Sequence, residues 1–272
     1  MSVSLGAVRF TAVQEAAIRS WLPEPGGPLW NRVAVSEVRH VLDLPAMNHH
    51  EFLGPSCWLA GGSVLRWICG EHSDGGVTKG DFDFYFPSLD ALNDTAQAMV
   101  ERGFRVLGYG SRPRNIREFL TRPVRDEGDS GIWNDSGDLA PITAELRERL
   151  ELGTLELISP EGEAIQLVAL AFDATPRETI MRFDFSICQL ALDDRYLSFG
   201  PSTLNDLIGN RFRAENVPWP LTTCRRMFRY IRRGFWPRFG SAMRILALAC
   251  GRAARHGLHG LRRCCRRSSA ER

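Results

Sequence analysis

The sequence is poor in lysine and has no long hydrophobic run. Lys79 is its single lysine, so arginine supplies the other basic side chains. The longest apolar stretch near the C-terminus, Ile245–Cys250, is far shorter than the ~20 residues that a membrane-spanning helix needs. The N-terminal residues lack the apolar core of a signal peptide. We therefore expect a cytoplasmic protein with no transmembrane segment.

Several catalytic and metal-binding signatures are also missing. The sequence contains no G-x-x-x-x-G-K-[ST], no G-x-S-x-G and no H-E-x-x-H. Their absence disfavours P-loop NTPases, α/β-hydrolases and zinc metalloproteases of those types. The seven cysteines include no C-x-x-C pair, so their spacing does not indicate a disulfide framework. Reduced thiols are the expectation for an intracellular protein.

Charge is distributed very unevenly along the chain. The segment from Arg211 to Arg272 holds 16 arginines and two acidic residues, a net charge of +14, whereas the whole chain carries +2. The first 210 residues therefore carry −12. An acidic body followed by a basic C-terminal quarter favours a polyanionic partner, with RNA as the leading candidate.

The hydrophobic pattern predicts an α/β (α+β) fold, a small mixed twisted sheet with flanking helices followed by a helical C-terminal region. The expected divisions are an N-terminal helical segment (1–53), a catalytic domain (54–200), a helical subdomain (201–237) and an arginine-rich tail (238–272). Strands are predicted over Cys57–Ala60, Asp81–Phe86, Phe104–Leu107, Thr154–Ile158, Ala164–Val168, Phe183–Leu192 and Tyr196–Phe199. Helices are predicted over Thr11–Trp21, Val35–Leu42, Val64–Cys69, Ser88–Arg102, Ser202–Ile208 and from Thr222 or Thr223 to Arg233.

Two aspartates alternate with aromatic residues in the predicted strand Asp81–Phe86. Side chains of a strand alternate between its faces, so Asp81 and Asp83 point one way and the phenylalanines point the other. Two neighbouring carboxylates repel each other unless a cation neutralises them, and oxygen ligands suit Mg²⁺ or Mn²⁺. The alternative is a surface strand with two solvated acids.

A glycine turn precedes this strand. Gly61, Gly62 and Ser63 connect an apolar strand to a helix, and the N–H groups of such a turn can bind phosphate. Glycines let a ligand approach the main chain, and the Ser63 hydroxyl can donate to a phosphate oxygen. The alternative is an ordinary strand-to-helix connection.

A third aspartate, Asp184, lies in the apolar segment Arg182–Ser186. A carboxylate in such surroundings is costly unless it is paired or bound to a metal. A third carboxylate is also the support that two cations about 3.5–4 Å apart need. A salt bridge to Arg182 or Arg195 is the structural alternative.

Arginines recur every three or four residues in the predicted helix that follows. Arg225, Arg229 and Arg232 share one face, which can contact a triphosphate or a nucleic-acid backbone. A solvated basic face that balances the acidic body is equally consistent with the pattern. Gln166 can face the same site, although a buried polar contact is favoured for it.

Together these residues resemble the DNA polymerase β-like nucleotidyltransferase superfamily, which includes CCA-adding enzymes, poly(A) polymerases, antibiotic adenylyltransferases and toxin-type transferases. The resemblance covers roughly Cys57–Phe199. It is closest to uncharacterised nucleotidyltransferase-like proteins of phages and large viruses. Those proteins have segments similar to Ile165–Val168, Phe183–Gln189 and Cys224–Phe235, and the last is also similar to the arginine-rich helix of CCA-adding enzymes.

The resemblance implies an enzyme that transfers a nucleoside monophosphate from an NTP to a hydroxyl and needs Mg²⁺ or Mn²⁺. It implies that Gly62 and Ser63 grip the triphosphate and that Asp81 and Asp83 bind both metals. Asp184 would bind the catalytic metal and help deprotonate the acceptor hydroxyl. The 17 residues between Ser63 and Asp81 exceed the family spacing. We interpret the excess, Glu71–Gly80, as an inserted loop. The alternative function is a degenerate transferase fold that binds nucleic acid or regulates a partner.

Overall fold

The computed structural model describes residues 10–22, 31–70, 81–111 and 152–250. Its helices are α1 Ala12–Ser20, α2 Val35–Leu42, α3 Gly62–Ile68, α4 Leu89–Glu101, α5 Pro176–Ile180, α6 Thr203–Ile208, α7 Pro220–Arg232 and α8, residues 239–250. Its strands are β1 Asn31–Ala34, β2 Trp58–Ala60, β3 Phe82–Tyr85, β4 Arg105–Ser111, β5 Leu152–Ile158, β6 Ala164–Val168, β7 Leu190–Leu192, β8 Tyr196–Phe199, β9 Arg211–Phe212 and β10 Trp236–Pro237. Within these ranges, no helix is both long and apolar enough to cross a membrane.

The described residues form two compact units. The sheet unit comprises those within Trp21–Met181 and Cys188–Pro201. The C-terminal unit comprises those within Met1–Ser20, Arg182–Ile187 and Ser202–Arg272. The expected divisions at residues 53 and 200 differ from this partition, because β1 belongs to the main sheet and the segment containing Asp184 belongs to the C-terminal unit.

The sheet unit is built on a mixed eight-stranded sheet with the strand order β1-β8-β7-β2-β3-β6-β5-β4. β3 and β6 run parallel, whereas the other neighbouring pairs are antiparallel. This arrangement confirms the predicted α/β class with a mixed sheet and flanking helices. The central strands are flanked by chain that is distant in sequence, so their pairing depends on tertiary packing rather than on local turns.

One face of β3 and its neighbours forms a dry core. Phe82 and Phe84 of β3 are 1% and 0% exposed, and Ile165 and Leu167 of β6 are fully buried beside them. Full burial of each such side chain contributes about 1.5–3 kcal/mol. The strand therefore has a fixed orientation, since a slip of one residue would move the aspartates into this core.

Local signals set several helix ends as predicted. The Ser88 hydroxyl accepts the N–H of Ala91 at 3.1 Å and caps α4. Thr11 and Gln14 exchange side-chain-to-main-chain bonds of 3.0 and 3.2 Å, which form a capping box before α1. The prediction that α7 begins at Thr222 or Thr223 was wrong. It begins at Pro220, because proline has a φ suited to the first helical turn and needs no acceptor there.

Candidate active site

The glycine turn has a conformation that its sequence requires. β2 ends at Ala60 and α3 begins at Gly62, with Gly61 between them at φ 78° and ψ −129°. This left-handed φ strongly favours glycine. The Gly61 N–H donates to the Leu190 carbonyl on β7 at 2.9 Å, which fixes the turn against the sheet. The backbone at the end of β2 is thus held in place for whatever approaches Gly62.

Ser63 is oriented towards the protein interior. It is 2% exposed, and its Oγ donates to the main-chain oxygen of Ala60 at 3.4 Å. A phosphate contact from this hydroxyl requires that it leave Ala60. The role of Ser63 as a phosphate donor therefore stays a prediction, whereas Gly62 is the half-exposed residue of the turn.

Arg66 joins the turn to the start of β3. It lies one helical turn after Gly62, and its Nη2 donates to the main-chain oxygen of Asp81 at 2.7 Å. Its Nη1 lies 3.6 Å from the position that a Cβ on Gly62 would take. The proposed insertion, Glu71–Gly80, lies outside the described residues, yet the two predicted motifs on either side of it meet through this one side chain.

Asp81 and Asp83 lie on the face of β3 opposite the phenylalanine core. Asp81 immediately precedes the strand and is exposed, and Asp83 is half-buried within it. The alternation predicted from the sequence is thus confirmed. Both carboxylates are presented on one side of the sheet.

Gln166 extends this polar face onto the next strand. The parallel register places Gln166 opposite Asp83, and the Gln166 Nε2 donates to Asp81 Oδ2 at 3.1 Å. The side chain is half-buried and faces the aspartate pair, rather than a separate buried polar contact. A neutral amide orients the Asp81 carboxylate without cancelling its charge.

Glu156 is a carboxylate that the sequence reasoning missed. It lies opposite Gln166 in the antiparallel β5–β6 pair, so Asp83, Gln166 and Glu156 form one row across three adjacent strands. Thr154 Oγ1 donates to Glu156 Oε1 at 3.4 Å. The predicted hairpin centred on Glu161 already implies the pairing of residues 156 and 166. Only the parallel pairing of β6 with β3 brings them beside Asp83.

Asp184 does not lie in a strand, so the prediction of a strand over Phe183–Leu192 was wrong there. Its segment pairs instead with residues 213–215, through the bonds Glu215 N–H to Asp184 O (2.9 Å) and Ser186 N–H to Arg213 O (3.1 Å). A helical turn follows at Ser186–Cys188, and β7 begins only at Leu190. The apolar run was too long for one strand because it spans the boundary between the two units.

The Asp184 carboxylate is buried and ion-paired. It is 6% exposed, and its Oδ2 accepts from Arg226 Nη1 at 3.1 Å and from Thr223 Oγ1 at 3.3 Å. A salt bridge was the structural alternative in the sequence, but its partner is Arg226 rather than Arg182 or Arg195. Both contacts use the same carboxylate oxygen.

α7 presents its arginines to solvent as the spacing predicts. Arg225, Arg229 and Arg232 are exposed, whereas Met227 and Tyr230 are buried on the opposite side of the helix. The exposed arginines form a basic stripe within the C-terminal unit.

The structure therefore brings some of the predicted site residues together. Gly61, Gly62, Asp81 and Asp83 lie close to one another in the sheet unit, linked by Arg66 and Gln166. Three others belong to the C-terminal unit: Asp184, Arg225 and Arg229. That this second group joins the first stays a prediction.

The aspartate face fits a magnesium ion that shares its ligands with a substrate. Among the described residues, no three His, Cys, Asp or Glu side chains converge in a way that holds a metal by themselves. Mg²⁺ commonly keeps several waters and binds one or two carboxylates together with substrate phosphates. Asp81 and Asp83 supply such a pair, with a position for phosphate at the adjacent glycine turn.

A family model matches residues 39–209, described as "Gabija anti-defense 2 family protein". The match spans well over half of the 272 residues. The chain belongs to the Gabija anti-defense 2 family. The part of this Gabija anti-defense 2 protein that defines the family includes the glycine turn, the aspartate pair and Asp184. It ends before the arginines of α7. A comparison with curated proteins found no match.

Solved structures with partial similarity to this Gabija anti-defense 2 protein include several tRNA-processing enzymes. The Thermotoga maritima CCA-adding enzyme complexed with tRNA is 16% identical, with a TM-score of 0.46 over 80% of this chain and 45% of that one. A CCA-adding enzyme with CTP is 14% identical, with a TM-score of 0.48 over 83% and 47%. The chain spans about half the length of these proteins.

Proposed function

We propose that this Gabija anti-defense 2 protein is a nucleotidyltransferase. It transfers a nucleoside monophosphate from an NTP to a hydroxyl acceptor, releases pyrophosphate, and through this activity counteracts the Gabija defense. One observation carries the proposal. The glycine turn and the two carboxylates of β3, which are distant in sequence, lie side by side in one compact unit and are joined by the 2.7 Å bond from Arg66 to Asp81.

Asp81 and Asp83 are the residues that would hold Mg²⁺ or Mn²⁺. When bound, the metal neutralises charge on the triphosphate and lowers the pKa of the acceptor hydroxyl. Gln166 keeps Asp81 oriented by donating to one carboxylate oxygen. Gly61 and Gly62 let the phosphates approach the main chain, with Ser63 as a further donor once it leaves Ala60. The protein then contributes mainly position and electrostatics, as in other phosphoryl transfers.

Asp184 is the proposed third carboxylate. In this role it would support the catalytic metal and accept the proton of the acceptor hydroxyl. Its pairing with Arg226 supplies the counter-charge that keeps a buried carboxylate ionised. Because both Arg226 and Thr223 contact Oδ2, the proposal assigns the reaction to the other oxygen.

The proposed partners are an NTP and RNA. Arg225 and Arg229 on the exposed face of α7 are the proposed nucleotide contacts, because guanidinium groups match phosphate geometry. The strongly basic region from Arg211 onwards favours RNA over a protein or a small molecule as the acceptor. The tail beyond residue 250 lies outside the described residues.

A second function is favoured by the ion pair of Asp184. A carboxylate already matched by Arg226 has no need of a metal, and the described residues hold no three-ligand metal group. The chain would then be a catalytically degenerate transferase fold that binds nucleic acid or regulates a partner in the anti-defense role. Fold alone does not distinguish the two functions.

Label transfer tests the chemistry directly. The purified protein is incubated with each labelled NTP, Mg²⁺ or Mn²⁺, and total RNA or total protein. We expect transfer by the wild type and none by the Asp81→Ala, Asp83→Ala double variant. The matched control is Asp90→Ala, Asp94→Ala, which removes two exposed carboxylates from α4 of the same unit. Transfer that survives in the first variant would rule out the proposed site.

An infection assay tests the biological role. Cells that carry the Gabija defense are infected with a phage it blocks, with and without expression of this protein. We expect the wild type and the α4 control to restore phage growth and the Asp81→Ala, Asp83→Ala variant to fail. Restoration by that variant at wild-type expression levels would favour the non-catalytic function.

A further inference from the structure

Arg66 occupies the space between the two motifs of the proposed active site. Its guanidinium reaches from α3 to β3, with Nη2 on the Asp81 main-chain oxygen at 2.7 Å and Nη1 near Gly62. The acceptor of the Asp81 bond is a neutral carbonyl, so this bond leaves the positive charge of Arg66 in place. The side chain is half-buried, which keeps it accessible to a ligand at the turn.

The glycine turn needs a cation if it is to bind a triphosphate. α3 has only seven residues, about two turns, so its main-chain dipole offers little charge. The Ser63 hydroxyl is directed at Ala60. Asp81 and Asp83 add negative charge on the same side. Among the described residues at the turn and at the start of β3, Arg66 is the side chain that supplies positive charge.

We propose that Arg66 binds the terminal phosphates of the nucleoside triphosphate, in addition to holding the start of β3. This inference rests on the proposed function and assigns a residue to its phosphate subsite. An arginine fork makes two parallel, charge-assisted hydrogen bonds to phosphate oxygens, which a lysine does not reproduce. The bond to Asp81 O fixes the guanidinium beside the carboxylates, so the phosphates would lie where a shared magnesium ion can reach them.

Binding of tripolyphosphate isolates this subsite, because it carries the phosphates without a base. In the presence of Mg²⁺, calorimetry should show binding by the wild type and at least a ~10-fold loss of affinity in Arg66→Gln, the size expected for a lost charge-assisted bond. Arg66→Gln keeps an N–H donor for the Asp81 carbonyl and removes only the charge. Arg66→Lys should fall between the two, and Arg105→Ala, an exposed arginine on β4, should equal the wild type.

A variant-free measurement guards against misfolding of Arg66→Gln. The wild type is treated with phenylglyoxal, which modifies arginines, and the modified peptides are quantified by mass spectrometry. Tripolyphosphate with Mg²⁺ should protect Arg66 and leave Arg105 as reactive as before. Inorganic phosphate should protect Arg66 less, because it offers one phosphate instead of three.

The outcomes separate this inference from the function on which it rests. Equal binding by Arg66→Gln and wild type, or equal modification of Arg66 with and without tripolyphosphate, overturns the role of Arg66 and leaves the transferase standing. Absence of both tripolyphosphate binding and label transfer in the wild type overturns the proposed function itself. Binding that fails in Arg66→Gln and in the Arg105→Ala control alike also contradicts a specific role for Arg66.

Discussion

The two units hold their aspartates in opposite ways. In the sheet unit, Asp81 is exposed, and its carboxylate accepts a bond from the neutral amide of Gln166. In the C-terminal unit, Asp206 is fully buried. It accepts bonds from Ser186 Oγ at 2.6 Å and Arg238 Nη2 at 2.8 Å, with Arg213 Nε at 3.3 Å. One carboxylate keeps its charge available, and the other is matched by two arginines.

The partners, rather than the aspartates themselves, therefore indicate the role. A buried carboxylate with arginine counter-ions ties elements together, and its removal leaves uncompensated charge. An exposed carboxylate with a neutral donor can accept a cation from solution. Asp184 lies between these cases, since it is buried and paired with one half-exposed arginine. Substitutions in the three environments should differ in what they damage.

The largest effect is expected at Asp206. Asp206→Ala should lower the free energy of unfolding by about 3–5 kcal/mol, because Arg213 and Arg238 lose their buried counter-ion. Urea denaturation measures the change. Asp81→Asn should alter stability by no more than about 0.5 kcal/mol, as for an exposed position. Similar losses at both positions would break the comparison between the units.

Asp184 and Arg226 sharpen the intermediate case. Arg226→Gln should lower the free energy of unfolding by about 1–3 kcal/mol, because it weakens the compensation of a buried carboxylate. If Asp184 acts in transfer, Asp184→Asn abolishes labelling, whereas Arg226→Gln retains most of it. Both quantities are measured on the same preparations. Full labelling by Asp184→Asn would make this aspartate purely structural.

A smaller effect is expected at Gln166. Gln166→Glu places a third carboxylate beside Asp81 and should lower stability in EDTA by about 0.2–1 kcal/mol, the size of a like-charge pair across strands. Added Mg²⁺ should reverse this loss and raise the melting temperature more than in the wild type. Gln166→Ala, which adds no charge, is the control for the magnesium response. A metal response equal to that of the wild type would place the ion elsewhere.

The smallest effect concerns thiol reactivity. Burial raises the pKa of the Cys57 thiol to about 12, with a side-chain bond to Thr95 acting in the opposite direction. The native state therefore holds this proton more tightly than the unfolded state. The contribution of Cys57 to stability should fall only as pH rises above 9.0 towards about 12. At about pH 8.5, the usual pKa of a thiol, iodoacetamide should modify exposed Cys250 and spare Cys57. Peptide mass spectrometry of native and urea-unfolded protein makes the comparison.

Local patterns predicted much of the sheet unit. The helix Val35–Leu42, the Ser88 cap and the hairpin around Glu161 all follow from residues near one another in sequence. The alternation of Asp81 and Asp83 with phenylalanine placed both carboxylates on one face. The predictions were wrong for Asp184, where an apolar run crosses from one unit to the other, and for the start of α7.

The sequence by itself determined the glycine turn, the direction of the β3 carboxylates and the basic face of α7. Each depends on dihedral preference or on the period of a single element. Only the tertiary structure decided that β6 runs parallel beside β3, that Arg66 reaches Asp81, and that Asp184 is paired with Arg226. These contacts join residues 15 to 83 positions apart, and they are chosen by how whole elements pack, which no local pattern records.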